Sequence, residues 1–93
     1  MDRFLAIQRL PQGASQEGFR ESMQRLDLAA DQLGIHVTET LYNLDKAMAW
    51  SVFEARDEAE VLRAHERAGL PQPEVVRAGL LYTELLTEPR RAR

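Results

Sequence analysis

Apolar and polar positions follow two different periods along this chain. Phe4, Leu5, Ala6 and Ile7 form an unbroken apolar run, too short for a helix before Pro11 and Gly13, which predicts a buried strand from Arg3 to Leu10. Beyond Ser15 the period changes. Phe19, Met23, Leu26, Ala30 and Leu33 recur at steps of 4, 3, 4 and 3, one stripe of an amphipathic helix, with Ser15 as its cap and Gly34 as its stop. The β-branched stretch Ile35 to Tyr42 reads as a strand, with Ile35, Val37 and Leu41 on one face and Thr38, Thr40 and Tyr42 on the other. Asn43 to Lys46 is turn-like, and the apolar run Ala47 to Glu54 should return as the second arm of a hairpin. Asp57 and Glu60 form a capping pair that opens a short helix carrying Val61, Leu62, His65 and Ala68, which stops at Gly69 with Pro71 behind it. After Pro73, the alternation of Val76, Ala78, Leu80 and Tyr82 predicts a final strand within Glu74 to Leu86, whose end could wind into a turn of helix.

The resulting order, βαββαβ, is the ferredoxin-like arrangement: an α+β fold with a four-stranded antiparallel sheet and two helices on one face. Residues 1–88 are expected to form this single domain, with 89–93 a basic disordered tail containing Arg90, Arg91 and Arg93. In the two strands expected at the centre, Phe4 and Ala6 alternate with Leu5 and Ile7, and Ala49 and Phe53 alternate with Met48, Trp50 and Val52. Both faces are apolar, yet the helices cover only one. The open face is therefore expected to pack on a second copy, giving a homodimeric α+β barrel.

Composition narrows the function classes. The 93 residues carry a net charge of −3, the wrong sign for neutralising nucleic-acid phosphates. The third strand, MAWSVFE, lacks the basic residue and glycines with which RNA-recognition modules stack bases. The absence of cysteine excludes thiolate catalysis, disulfide staples and cysteine metal sites. No apolar run approaches the ~18 residues of a membrane span, and no small-residue cleavage site follows the N-terminal run. A cytoplasmic protein without membrane or nucleic-acid partners is expected.

Several short segments carry a family resemblance across roughly residues 3 to 85: the first strand ending Leu10-Pro11-Gln12-Gly13, the helix ending Leu33-Gly34, the step from Phe53 to Asp57, and the helix ending Ala68-Gly69-Leu70-Pro71. The pattern resembles that of small bacterial proteins once known only as a domain of unknown function and later named for a nickel-responsive member. The resemblance implies a ferredoxin-like fold, a homodimeric barrel and, for nickel-type members, metal binding through histidines. Those members carry one His in the second strand and another in the second helix, positions that match Glu39 and Ala64 here. Their frequent third-strand cysteine matches Ser51.

The candidate chemistry is correspondingly sparse. His36 and His65 are the only histidines and the candidate metal ligands, with Glu39 or Glu54 as carboxylate companions. Glu39, Tyr42, Trp50 and Ser51 are the candidate walls and polar contacts of a small-molecule pocket in the barrel. No Ser-His-Asp set, phosphate loop or paired catalytic carboxylate motif is present. The reading is a small ligand- or metal-binding homodimer, with nickel as the metal the resemblance implies. The alternative is a cofactor-free barrel enzyme, oxygenase- or isomerase-like, using Glu39, His36 or His65 as base.

Overall fold

A computed structural model of the chain describes residues 1–85. Its elements are β1 (Asp2–Arg9), α1 (Gln16–Leu33), β2 (His36–Asn43), β3 (Met48–Ala55), α2 (Glu58–Arg67), β4 (Glu74–Ala78) and a single helical turn, α3 (Leu81–Glu84). The four strands form one sheet in the order β2-β3-β1-β4, with every neighbouring pair antiparallel. This is the ferredoxin-like fold, with β1 and β3 at the centre. The expected last strand is cut short at Ala78, and its end winds into α3. The expected basic tail, 89–93, lies outside the described residues.

Local chemistry accounts for the boundaries. The Ser15 hydroxyl accepts the Gly18 N–H at 3.0 Å to open α1, and Gly34 closes it in the left-handed conformation at φ 73°, which a Cβ would disfavour. Asp57 caps α2 by accepting from Glu60 N at 3.0 Å. The reciprocal contact differs from the expected capping box: the Glu60 carboxylate reaches one residue further back, accepting from Arg56 N at 2.8 Å and Arg56 Nε at 2.9 Å. Arg56 Nη2 also donates to Glu60 and to Leu33 O at the end of α1, so one arginine ties the two helices together at this corner. At the opposite end of α2, Arg25 of α1 donates to Ala68 O at 3.1 Å.

The core lies between the helices and one sheet face. Phe4, Ala6, Phe53 and Ala55 from the central strands meet Leu26, Ala29, Ala30, Val61 and Ala64 from the helices, with Ile35 fully buried between them. Alanines on both layers let the helices approach closely, so a few large side chains, chiefly Phe53, Leu26 and Ile35, fill the remaining space. Strand alternation is strict in β3, where Ala49, Ser51, Phe53 and Ala55 are buried and Met48, Trp50, Val52 and Glu54 are partly exposed.

β2 departs from the simple alternation expected of it. Val37 pairs with Phe53 and Glu39 with Val52, so Thr38 is the extra residue of a β-bulge. The bulge moves every later residue to the other face relative to Val37. Leu41 opposes Trp50 and Tyr42 opposes Ala49. Val37, Thr40 and Tyr42 thus share the helix side, while Glu39 and Leu41 share the open one. No helix among the described residues is long and apolar enough to cross a membrane.

Candidate functional site

The strand registers divide the sequence-predicted pocket between two faces. Trp50 and Ser51 are consecutive on β3 and must point oppositely. Trp50 lies on the open face, level with Ile7 of β1 and Leu41 of β2, and Glu39 joins it there beside Val52. Ser51 is fully buried on the helix side, its hydroxyl 2.9 Å from that of Thr40. Tyr42 also lies on the helix side, at the sheet edge, half-exposed, with its ring 4.8 Å from that of Phe19 of α1 and tilted 39° to it. Glu39 and Trp50 therefore share one surface, whereas Tyr42 and Ser51 belong to the core and its margin.

The two histidines are separated in the same way. His36 is exposed at the start of β2, level with Glu54 on the open face. Its neighbour Glu54 also lies 3.8 Å from Arg3. His65 is completely buried in α2, deeper than its position beside the apolar stripe suggests. Its ring packs 5.5 Å from that of Phe53, and its Nδ1 lies 2.8 Å from Val61 O. A carbonyl only accepts, so Nδ1 carries the hydrogen, and the neutral ring presents a lone pair at Nε2. That nitrogen is buried without a hydrogen-bond partner. Burial holds the His65 pKa below its ordinary value, against the opposing pull of the Val61 carbonyl. His36 and His65 thus lie on opposite sides of the sheet, and no cluster of three or more His, Cys, Asp or Glu suited to a metal ion occurs among the described residues.

The open face has an apolar centre and a charged margin. Leu5, Ile7, Met48, Trp50 and Val52 occupy its middle, extended by Leu41 on one edge strand and Val76 on the other, which are 62% and 44% exposed. Arg3, Glu54, His36, Glu39 and Glu74 surround them. Both signs of charge are present on the margin.

Behind the sheet lies a feature that the periodicity did not reveal. A cavity of about 300 Å³ opens between the end of β1, the loop that follows it, the first turns of α1 and the Leu70-Pro71 corner. Its walls include Leu10, Phe19, Met23 and Leu70, together with Gln8. Gln8 points to the helix side, where Phe4 and Ala6 are core residues. It is 5% exposed, and its Oε1 is buried without a partner. A polar residue on the core face of a strand was the available sequence signal, masked by its place at the strand's end.

No family model and no curated protein matches the chain. Among solved structures it is similar to the crystal structure of SCO4226 from Streptomyces coelicolor A3(2). The two are 23% identical with a TM-score of 0.73 over 84% of this chain and 96% of that one. That likeness confirms the ferredoxin-like fold. It extends over nearly the whole of the Streptomyces chain.

Proposed function

We propose that this protein is a small cytoplasmic homodimer of ferredoxin-like subunits that binds a small molecule or metal ion, with the two copies packed through their open sheet faces. The observation that carries the reading is the apolar centre of that face. Strands ~4.8 Å apart and ~3.3 Å per residue give the sheet a face of roughly 500 Å². Its apolar centre is a part of that area, and an exposed apolar patch of a few hundred Å² rimmed by polar residues marks an interaction site. The whole face, charged margin included, would supply the larger part of the ~800 Å² per partner of an ordinary stable interface. A second copy supplies a matching apolar centre, and its mixed-charge margin can meet the first by two-fold symmetry.

Pairing the sheets would bury Trp50 at the centre of a closed interface and bring Glu39 and His36, on the edge strand β2, to its rim, where the dielectric falls and polar groups gain strength. A metal ion there would draw on His36 with Glu54 or Glu39, an imidazole and carboxylate set, completed by the second copy. In the same reading, the likeness to nickel-responsive proteins extends to dimerisation and to binding at this edge. Ser51 and Tyr42 then serve the core, and His65 serves packing.

Native mass spectrometry of the wild type and of Trp50→Lys, before and after addition of nickel, tests the proposal. The wild type should give a dimer, and Trp50→Lys should shift the mass to the monomer while circular dichroism stays that of a folded α+β protein. A folded Trp50→Lys protein that remains fully dimeric would overturn the assigned interface. A wild-type dimer that takes up no nickel would retire the metal part of the reading.

A further inference from the structure

We infer that the cavity beside Gln8 is a binding site for a small, neutral, mostly apolar molecule bearing one hydroxyl group, of the phenol or aromatic-alcohol class. The cavity has a structural origin. β1 pairs with β4 only as far as Ile7, opposite Glu74, so Gln8 lies just past the point where β4 flanks the sheet. The loop after β1 then delays the start of α1 until Gln16. The space between is enclosed from the side by Leu70 and Pro71 and remains unfilled. Its volume of about 300 Å³ sits at the lower bound of ligand pockets, which run from ~300 to ~1,000 Å³.

The chemistry of the walls selects the ligand. Leu10, Phe19, Met23 and Leu70 offer an apolar and partly aromatic lining. The polar groups nearby are mostly engaged: Ser15 accepts from Gly18, and Ser22 accepts from Arg25. The Gln8 amide is the exception, forming no hydrogen bond among the described residues, with Oε1 wholly buried. A buried amide left unpaired is costly, and native proteins rarely leave one so. Rotation about the soft terminal torsion of the side chain brings either amide atom toward the cavity. A hydroxyl suits both outcomes, because it donates to Oε1 and accepts from Nε2. An apolar enclosure with a single convergent polar group is the anatomy of a small-molecule site. An anionic ligand is disfavoured because the apolar walls would strip its hydration with no buried cation to offset the cost, Arg9 being solvent-exposed at the rim.

The site lies on the helix side of the sheet, opposite the proposed dimer face, so each can fail without the other. The experiment is titration of the ¹⁵N-labelled full chain with 4-ethylphenol, 4-ethylanisole and 4-ethylbenzoate, followed by heteronuclear NMR. The phenol should give saturable shifts at the Gln8 side-chain amide and at Gly18, Phe19 and Leu70. The anisole, which cannot donate, and the benzoate should each bind at least tenfold more weakly. In Gln8→Leu the phenol should lose its preference over the anisole. If that variant does not fold, Ala14→Trp, which places bulk at the wall, should abolish the phenol shifts. The inference is overturned if the phenol produces no saturable shift at Gln8, if anisole and phenol bind the wild type alike, or if the benzoate binds more tightly than the phenol.

Discussion

Lowering the pH from 8 to 5 should destabilise the fold through His65, and replacing His65 by Leu should remove that sensitivity. The ring is fully buried against Phe53, with Nδ1–H donated to Val61 O. A proton added at Nε2 would create a charged donor with no partner among the described residues. Burial accordingly lowers the folded-state pKa, whereas the unfolded chain titrates near the ordinary 6.5. Between those two values the unfolded state binds the additional proton. The stability that His65 permits is therefore complete above about pH 6.5 and falls as pH drops toward the folded value, by at most about 1.4 kcal/mol per pH unit. At pH 8 the variant loses one hydrogen bond, worth about 1 kcal/mol, and also loses an unpaired buried acceptor that costs about 1–3 kcal/mol. It should match or exceed the wild type there, and its advantage should widen at pH 5. Urea unfolding at fixed protein concentration, followed by circular dichroism at several pH values, measures both curves; holding concentration constant removes any contribution from subunit association. Parallel curves for the two proteins from pH 8 to 5 would refute the assignment of a neutral, desolvated His65.

Glu60→Gln should cost about 1–3 kcal/mol near neutral pH, because its nearly buried carboxylate anchors Arg56 through backbone and guanidinium. Burial opposes ionisation of Glu60, but its bonds to Arg56 prevail and lower its pKa. The cost of the substitution should therefore be full above about pH 4.5 and shrink as pH falls through the folded value, which chemical denaturation can follow. Ala47 holds φ at 54° in the hairpin turn while accepting the Leu10 N–H at 2.8 Å. A β-branched side chain tolerates that conformation poorly, so Ala47→Val should lower stability by at least ~1 kcal/mol, with Ala47→Gly much closer to the wild type in thermal melts.

The sequence periods revealed most of the architecture for a physical reason. Helix α1 repeats its apolar stripe over 18 residues, and β1 and β3 are apolar on both faces because they are central. Signals repeated that often survive local exceptions. The bulge at Thr38 was not legible, since one inserted residue leaves composition unchanged while reversing the faces of Glu39, Thr40 and Tyr42. The shortness of β4 was only partly legible, because Leu80 and Tyr82 continue the apolar alternation beyond Ala78.

The candidate site shows the same division. Trp50 and Glu39 reach a common surface, but pairing Trp50 with Ser51 in one pocket conflicted with strand alternation itself. His65 occupied an apolar helix stripe, yet its complete burial depends on the alanines that draw α2 onto the sheet. Gln8 was harder to recognise, because whether a polar residue at a strand's end is solvated or enclosed depends on the loop and on the α2–β4 corner, which are distant in sequence.

The proposed sheet-to-sheet dimer is tested most directly by a filtered nuclear Overhauser experiment on dimers mixed from isotope-labelled and unlabelled copies, which registers only contacts between copies. Dimerisation through the open sheet faces should give intermolecular signals from the Trp50 indole to methyl groups of Leu5, Ile7, Leu41 or Val76. A monomeric protein, or intermolecular signals confined to α1 and α2, would contradict it.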